Sequence, residues 1–515
     1  MSTLVVADKK QAAITVHEWT RFQRYLFRSA FLFFVIMSIP EDAGWYRNLF
    51  SINWTSLHYR DLYDIARFQP SFLRGSGRFL AGYGEWFVIL AVSLGGGLLW
   101  TLLDKKKEYH ILYYWLRVIV RYRAGIGIIG FGFTKLLPVQ MPYPSLGILN
   151  TDFGDLTSQK IYWLSVGIVP WYQVFAGIVE VTAGTLLFFR RTTLLGSVLL
   201  FGALGDIVYV NFAYDGGVHV YSSYFVLFAA FLILYDVPKL YNLWILERLT
   251  VPANVYPDLS RSWLRYLRIG LKSVVIVVFL GILFYVQLVN FLYDPYKQPA
   301  MSGVRNLRGN YYVAEFRINH RVIPEFPLDS VRWQEVTFEK WSTLTYKVNR
   351  PVKLDLSNGG GSPMRDINRT FELTGVAGGR RVFYYDADTV NRVLYLQDKN
   401  TAGLKGGGRN RRNSRKEIRR SQNNPWDTAL AKASIGDETY KINPLAISAR
   451  RIKGIAAEKV QDPQRNRMVL KYFTKDGAKV TLTGVDEHRD SIYVVLYKVD
   501  RKYALSQSNL EAGQY

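Results

Sequence analysis

Long apolar runs confined to the first 292 of 515 residues constrain this chain most. The clearest is Ser273–Val289, SVVIVVFLGILFYVQLV, which carries no charge. A membrane-spanning helix needs about 20 mainly apolar residues. Seven segments meet or approach that length: Tyr25–Ile39, Gly84–Leu103, Leu112–Leu137, Trp163–Phe189, Leu194–Phe212, His219–Tyr235 and Ile269–Leu292. The first is short and carries Arg28. Antiparallel neighbours joined by short loops make a helical bundle. A wholly soluble enzyme, a disordered chain and a coiled coil are excluded.

Charge orients the spans, because positive loops stay in the cytoplasm. Lys105–Lys107 follow the second span, Arg190 and Arg191 the fourth, and Lys239, Arg248, Arg261, Arg265 and Arg268 the sixth. All three groups fall on one side. The opposite loops are poorer: 138–162 holds only Lys160, and 213–218 holds no positive charge. The N-terminus is then cytoplasmic and the C-terminal part extracytoplasmic, as in a multi-pass protein of a cell inner membrane. Residues 40–83 run against this with five Arg, partly offset by Glu41, Asp42, Asp61 and Asp64. Within them HYRDLYDIARF (58–68) reads as an interfacial or re-entrant helix. The expected organisation is a cytoplasmic segment (1–24), two spans with an interfacial segment (25–111), a four-helix core (112–236), a cytoplasmic loop (237–268), a last span (269–292) and an outer domain (293–515).

Residues 1–292 carry 26 Lys and Arg against 17 Asp and Glu, and the remainder 39 against 24. From about residue 300 the apolar pattern changes to period two, as in half-buried strands. Ten runs alternate: 311–319, 333–339, 343–348, 351–356, 370–376, 381–386, 392–398, 467–473, 479–485 and 491–499. The fold class is an α-helical polytopic membrane bundle plus an all-β C-terminal domain, a meander, sandwich or small barrel. Its opening, Leu307-Arg-Gly-Asn-Tyr311, is similar to that of calycin-type barrels, and an ordinary first strand accounts for it as well. The stretch 402–425 holds eight Lys and Arg and one acid. It reads as a flexible basic loop, with anionic lipid headgroups the alternative partner and no nucleic acid.

Zero cysteines exclude disulfides, thiolate metal sites and thiol chemistry. The six His are scattered without i,i+4 spacing, so no zinc helix of the HExxH kind exists. Gly125-x-Gly-x-x-Gly130 is formally a dinucleotide motif, but it lies inside one apolar helix. There Gly125, Gly127, Gly130 and Gly132 read as close-packing positions between helices. Ionisable groups at membrane depth are costly and are functional hypotheses by default. Equal distance from the inner ends of their spans suggests an Arg121–Glu180 ion pair, with Arg117 or Arg123 as substitutes. Lys135, Asp206, Tyr209, Asn211, Asp215 and His219 gather towards the outer ends as one candidate polar pocket. Their mixed charges argue against a metal cage. The competing reading is a salt bridge that only locks helices.

Residues RYRAGIGIIGFGFTK (121–135) and FAGIVEVTAGTLLFFRRTTLLG (175–196) resemble the first two helices of DoxX-type membrane proteins. Spans five and six, with NFAYDGGVHVYSSYFVLF (211–228), resemble the third and fourth. With flanking spans and a β domain, the chain is similar to long DoxX-like members of the Bacteroidetes type. The resemblance covers about residues 112–236. It implies a four-helix membrane core, and some family members are subunits of a thiosulfate:quinone oxidoreductase. Thiol-dependent relatives are excluded by the missing cysteines. Two functions follow. One is a membrane-anchored envelope binding or assembly module without catalytic chemistry, with an envelope protein as partner. The other is the membrane subunit of a quinone-linked oxidoreductase with a redox partner, a quinone between spans three to six, and Asp206 or Glu180 exchanging protons. A transporter is weaker, for no inverted repeat is visible.

Overall fold

The computed structural model describes residues 19–70, 72, 80, 82–250, 255–360, 366–402, 465–505 and 510–515. The chain divides into two compact units. The first comprises Met1–Trp54, Tyr59–Leu136 and Phe175–Gln287; the second comprises Thr55–His58, Leu137–Val174 and Leu288–Tyr515. The helices are α1 (Arg21–Met37), α2 (Ala43–Phe50), α3 (Tyr59–Ala66), α4 (Gly84–Leu103), α5 (His110–Leu136), α6 (Leu146–Leu149), α7 (Ser158–Gly167), α8 (Pro170–Leu187), α9 (Thr193–Ala213), α10 (His219–Leu234), α11 (Val237–Trp244), α12 (Ser262–Ile276) and α13 (Leu283–Tyr293). A π-turn at Val277–Ile282 joins the last two into one 32-residue helix.

Three helices among the described residues are long and apolar enough to cross a membrane: α4, α9 and α12–α13. The number rises to five if each bent pair is one span, α7 with α8 (90°) and α10 with α11 (67°). The other two expected spans fall short for separate reasons. Helix α1 has 17 residues, and α5 carries Arg117, Arg121, Arg123 and Lys135. Helix α4 begins and ends where the sequence places it. It exposes Phe87, Val88, Leu90, Val92, Leu94, Leu98, Leu99, Leu102 and Leu103, a continuous apolar outer strip.

Helices α5 and α8 touch through glycine. A Cβ on Gly177 would stand 2.3 Å from the Leu136 nitrogen, and one on Gly125 2.9 Å from the Gly184 oxygen. One on Gly132 would stand 3.0 Å from the Val181 nitrogen. Gly127 and Gly130 instead admit Phe225 and Tyr63, at 2.8 and 3.0 Å. Small residues that let backbones approach are the usual means of joining apolar helices. Gly177→Leu is therefore expected to destabilise the helical unit by about 1–3 kcal/mol or more, since backbone must move, read as a lower unfolding temperature in detergent. Gly95→Leu, where a Cβ meets nothing within 4 Å, is the neutral control.

Helix α3 is the amphipathic segment at 58–68, and it is buried. Tyr59, Asp61, Leu62, Tyr63 and Ala66 face inward. Arg123 donates to the Ala66 carbonyl at 3.0 Å and to the Phe68 carbonyl at 2.5 Å. A guanidinium on the last carbonyls of a helix satisfies acceptors that otherwise lack partners.

In the second unit the strands are β1 (Gly309–Ile318), β2 (Arg321–Val322), β3 (Glu335–Phe338), β4 (Thr343–Lys347), β5 (Arg380–Asp388), β6 (Val393–Asp398), β7 (Arg467–Phe473), β8 (Lys479–Val485) and β9 (Ser491–Val499). All neighbours are antiparallel, and β1 pairs with both β3 and β9. The sheet closes into an eight-stranded barrel, with β2 a short extension on β1. Closure removes the sheet edges. A bulge between Val313 and Glu315 shifts the β1–β9 register. Inward positions alternate, as in Met468, Leu470 and Tyr472 of β7. One continuous apolar cluster fills the interior, with Trp333 stacked on Tyr346 at 4.0 Å.

Two expected strands are absent. Residues 351–356 and 370–376 make only isolated bridges, Asp355 with Thr374 and Leu156 with Val376. Their alternation does not separate inside from outside. Thr370, Phe371, Glu372, Leu373 and Thr374 are all buried. Apart from Ala402, the basic stretch 402–425 lies outside the described residues.

Candidate functional site

The first unit holds a buried ion pair. Lys135 Nζ donates to Glu180 Oε1 at 2.5 Å, and both side chains are under one-tenth exposed. The second carboxylate oxygen of Glu180 is buried without a hydrogen bond. The expected Arg121–Glu180 pair is not formed: Arg121 donates to Thr193 Oγ1 at 3.3 Å. The reason is depth. The C-terminal end of α8 does not reach the N-terminal end of α5, because Tyr122, twelve residues into α5, stacks on Phe188. Equal distances from unequal ends are different heights. Glu180 lies against Gly132, one turn from Lys135. Arg117, a named substitute, faces Asp236 at 3.7 Å and Tyr235 at 3.7 Å from the ring centre. Arg123 serves α3.

The six outer candidates do not assemble into one pocket. Lys135 is taken by Glu180. Asp206 and Tyr209 are exposed on α9, Tyr209 by 74%. The inward face of α9 is Gly196, Ser197, Leu200, Leu204 and Asn211. Asp206 and Tyr209 sit about 200° and 140° around the helix from Leu204 at 3.6 residues per turn. Asn211 Nδ2 donates to the carbonyl of Ile207 at 2.7 Å on its own helix. Asp215 is exposed in the turn at φ 53°. His219 is half-buried against Phe212, ring centres 4.4 Å apart, and against Tyr83. No group of three or more His, Asp or Glu among the described residues is arranged to hold a metal ion.

A groove of about 680 Å³ opens instead between α1 and α4. Ala30, Phe33 and Phe34 line one wall and Trp86, Phe87 and Leu90 the other. Tyr83, hydrogen-bonded to Ser223 at 2.7 Å, and Ser29 are its polar members. The helices meet closely where Gly97 faces Ser29. Arg28, which weakens the first span by sequence, is fully accounted for. It donates to the Tyr109 hydroxyl at 2.9 Å and the Asp104 carbonyl at 2.8 Å. The sequence signal for this contact is the pair of small residues Gly97 and Ser29.

The second unit carries a dense buried charge network. Arg369, Asp294 and Asp366 are inaccessible to solvent. Arg369 bonds Asp294, faces Asp366 at 3.4 Å and donates to the Gln298 carbonyl at 2.7 Å. His58 meets the other oxygen of Asp294 at 3.1 Å. Lys399 and the Trp341 indole both donate to Glu372. Glu339 accepts from the Leu146 and Gly147 amides at 3.0 and 2.8 Å, capping α6. Burial outweighs those bonds and pushes its carboxyl up to about 7.

Lys297 differs from these. It is 3% exposed, and its Nζ lies 3.8 Å from the centre of the Trp163 ring. It forms no hydrogen bond or ion pair among the described residues. Burial, then the Lys160 ammonium, push its amine down to about 7. A desolvated cation–π contact contributes about 2 kcal/mol, while dehydrating an ammonium costs several. From pH 7 to about 10 the unfolded chain holds a proton on this amine that the folded chain lacks, so stability rises with pH there. Lys297→Met is expected to flatten that rise in chemical denaturation followed across the window.

Comparison with protein-family models, with curated proteins and with solved structures finds no match.

Proposed function

We propose that this chain is a seven-span inner-membrane protein of the DoxX-like type that serves as a membrane-anchored envelope binding or assembly module. The N-terminus is cytoplasmic and the β-barrel extracytoplasmic in this reading. What supports the topology is the grouping of basic ends within the first unit. Arg24 donates to the Lys106 carbonyl, and Arg28 to that of Asp104. Arg117 meets Asp236. Lys272 lies over Phe189, and Arg190 over Tyr256. Segments that the charge rule assigns to one side thus contact one another. Counting α1 and α5 as spans is then reasonable, since Arg28 in the first and Arg117, Arg121 and Arg123 in the second are held by partners.

The observation that carries the module reading is the filled barrel. Its interior is occupied by its own side chains, so any partner must be met on the outer surface. The quinone alternative gains less. The α1–α4 groove has apolar walls fit for a hydrocarbon tail, but its hydroxyls are Ser29 and the mutually bonded Tyr83–Ser223 pair. Neither Glu180 nor Asp206 lines it. The residues do not fit a headgroup that exchanges protons. Reporter fusions at residue 150 and after residue 300 are expected to report the outer compartment. A cytoplasmic signal from the second refutes the orientation. Reconstituted protein is expected to show no thiosulfate-dependent quinone reduction; turnover would favour the oxidoreductase.

A further inference from the structure

We propose that Lys297 anchors a binding site for one small oxyanion, a carboxylate or a phosphate-type group. The site lies wholly within the second unit, and binding there requires neither the seven spans nor the orientation proposed above.

The first observation is the missing counterion. The carboxylates of Asp294, Glu372 and Asp355 have other partners. Asp294, three residues earlier, is held by Arg369 and His58. Glu372 is taken by Lys399, Trp341 and Thr343. Asp355 accepts from the Ser357 amide. The Lys297 ammonium is left with two aromatic faces, Trp163 at 3.8 Å and Tyr296 at 6.0 Å. Ring faces return only part of what dehydration of an ammonium costs.

The second observation is another buried cation beside it. Lys160 is 1% exposed on α7, donates to the Phe371 carbonyl at 2.5 Å and lies over the Phe371 ring at 4.1 Å. Burial lowers the Lys297 amine most, and the positive charge of Lys160 lowers it further. Two neighbouring buried ammonium groups, one with no acceptor, are the electrostatic complement of a single anion. An oxyanion takes hydrogen bonds from Lys297 and leaves the Lys160–Phe371 bond intact. Trp163 then forms an apolar floor beneath the ammonium. An ammonium acts as a point charge on phosphate or carboxylate and imposes no fork geometry, so the class is set by charge and size.

The test uses the full chain in a neutral maltoside. Inorganic phosphate, and separately acetate, are titrated against chloride of equal ionic strength while the unfolding temperature is followed. A ligand bound only by the folded state raises that temperature with concentration. In a second arm phosphatidylglycerol is added against phosphatidylcholine. A rise with phosphate or acetate supports a soluble oxyanion, and a rise with phosphatidylglycerol alone supports a lipid headgroup. K297M keeps the stem and removes the charge. It is expected to melt no lower than wild type without ligand and to weaken binding by about tenfold or more. K297R is expected to retain binding. K340M, at an exposed lysine paired with Glu511, is the control. The wild-type titrations decide alone if K297M does not fold: no rise with any of these ligands overturns the proposal, as does an equal rise in K297M.

Discussion

Glu180→Ala is expected to destabilise the helical unit by about 3–5 kcal/mol, because it leaves the buried Lys135 ammonium uncompensated. Lys135→Met exposes the same fault from the other side and strands the buried Glu180 carboxylate without its cation. Arg121→Met removes one long bond to Thr193 and leaves the Lys135–Glu180 pair whole, so its cost is smaller. The double variant Lys135→Met/Glu180→Ala removes both charges, and a large part of the loss is expected to return. Thermal or denaturant unfolding of the full protein in detergent measures all four. The coupling energy of the cycle decides the matter: additive single losses mean that the two groups are not partners.

Which parts were legible follows from which physics was local. Helix α4 reads off its apolar length, and Gly125 and Gly132 read as packing positions because their row recurs on one face of α5. Eight of the ten alternating runs are strands, since period two directly reports one buried face. Runs 351–356 and 370–376 mimic that period while Thr370, Glu372 and Thr374 are buried with hydrogen-bond partners. Alternation of residue type is then not alternation of environment. The ion pair was half legible. Glu180 and Lys135 were both singled out as costly charges, but partner choice needs the relative height of two helices. That height is set by glycine contacts, which have no depth in sequence. Asp206 and Tyr209 show the limit of assuming that polar groups turn inward: the inward face of α9 is taken by Gly196, Ser197, Leu200, Leu204 and Asn211. Lys297 carried no signal at all, because its isolation depends on Asp294 and Glu372 being claimed by residues far along the chain.

Arg369→Met is expected to be the most damaging single change in the second unit. Its guanidinium stands between Asp294 and Asp366, and none of the three side chains touches solvent. Removing one partner of a buried pair costs about 3–5 kcal/mol, and here one cation serves two carboxylates. Asp366 keeps the Ala300 and Met301 amides, both at 3.0 Å, and so retains part of its stabilisation. Asp294 keeps His58 at 3.1 Å on its other oxygen. The second-site changes separate the two carboxylates. Arg369→Met/Asp294→Asn should recover more stability than Arg369→Met/Asp366→Asn, because asparagine at 366 also weakens the bonds to the two amides. Lys340→Met, an exposed charge, sets the baseline at within about 0.5 kcal/mol. Urea unfolding of the full chain in detergent, with protease resistance of the barrel as a second readout, orders these variants. Equal recovery by both double variants would mean that the two amide bonds to Asp366 do not decide the difference.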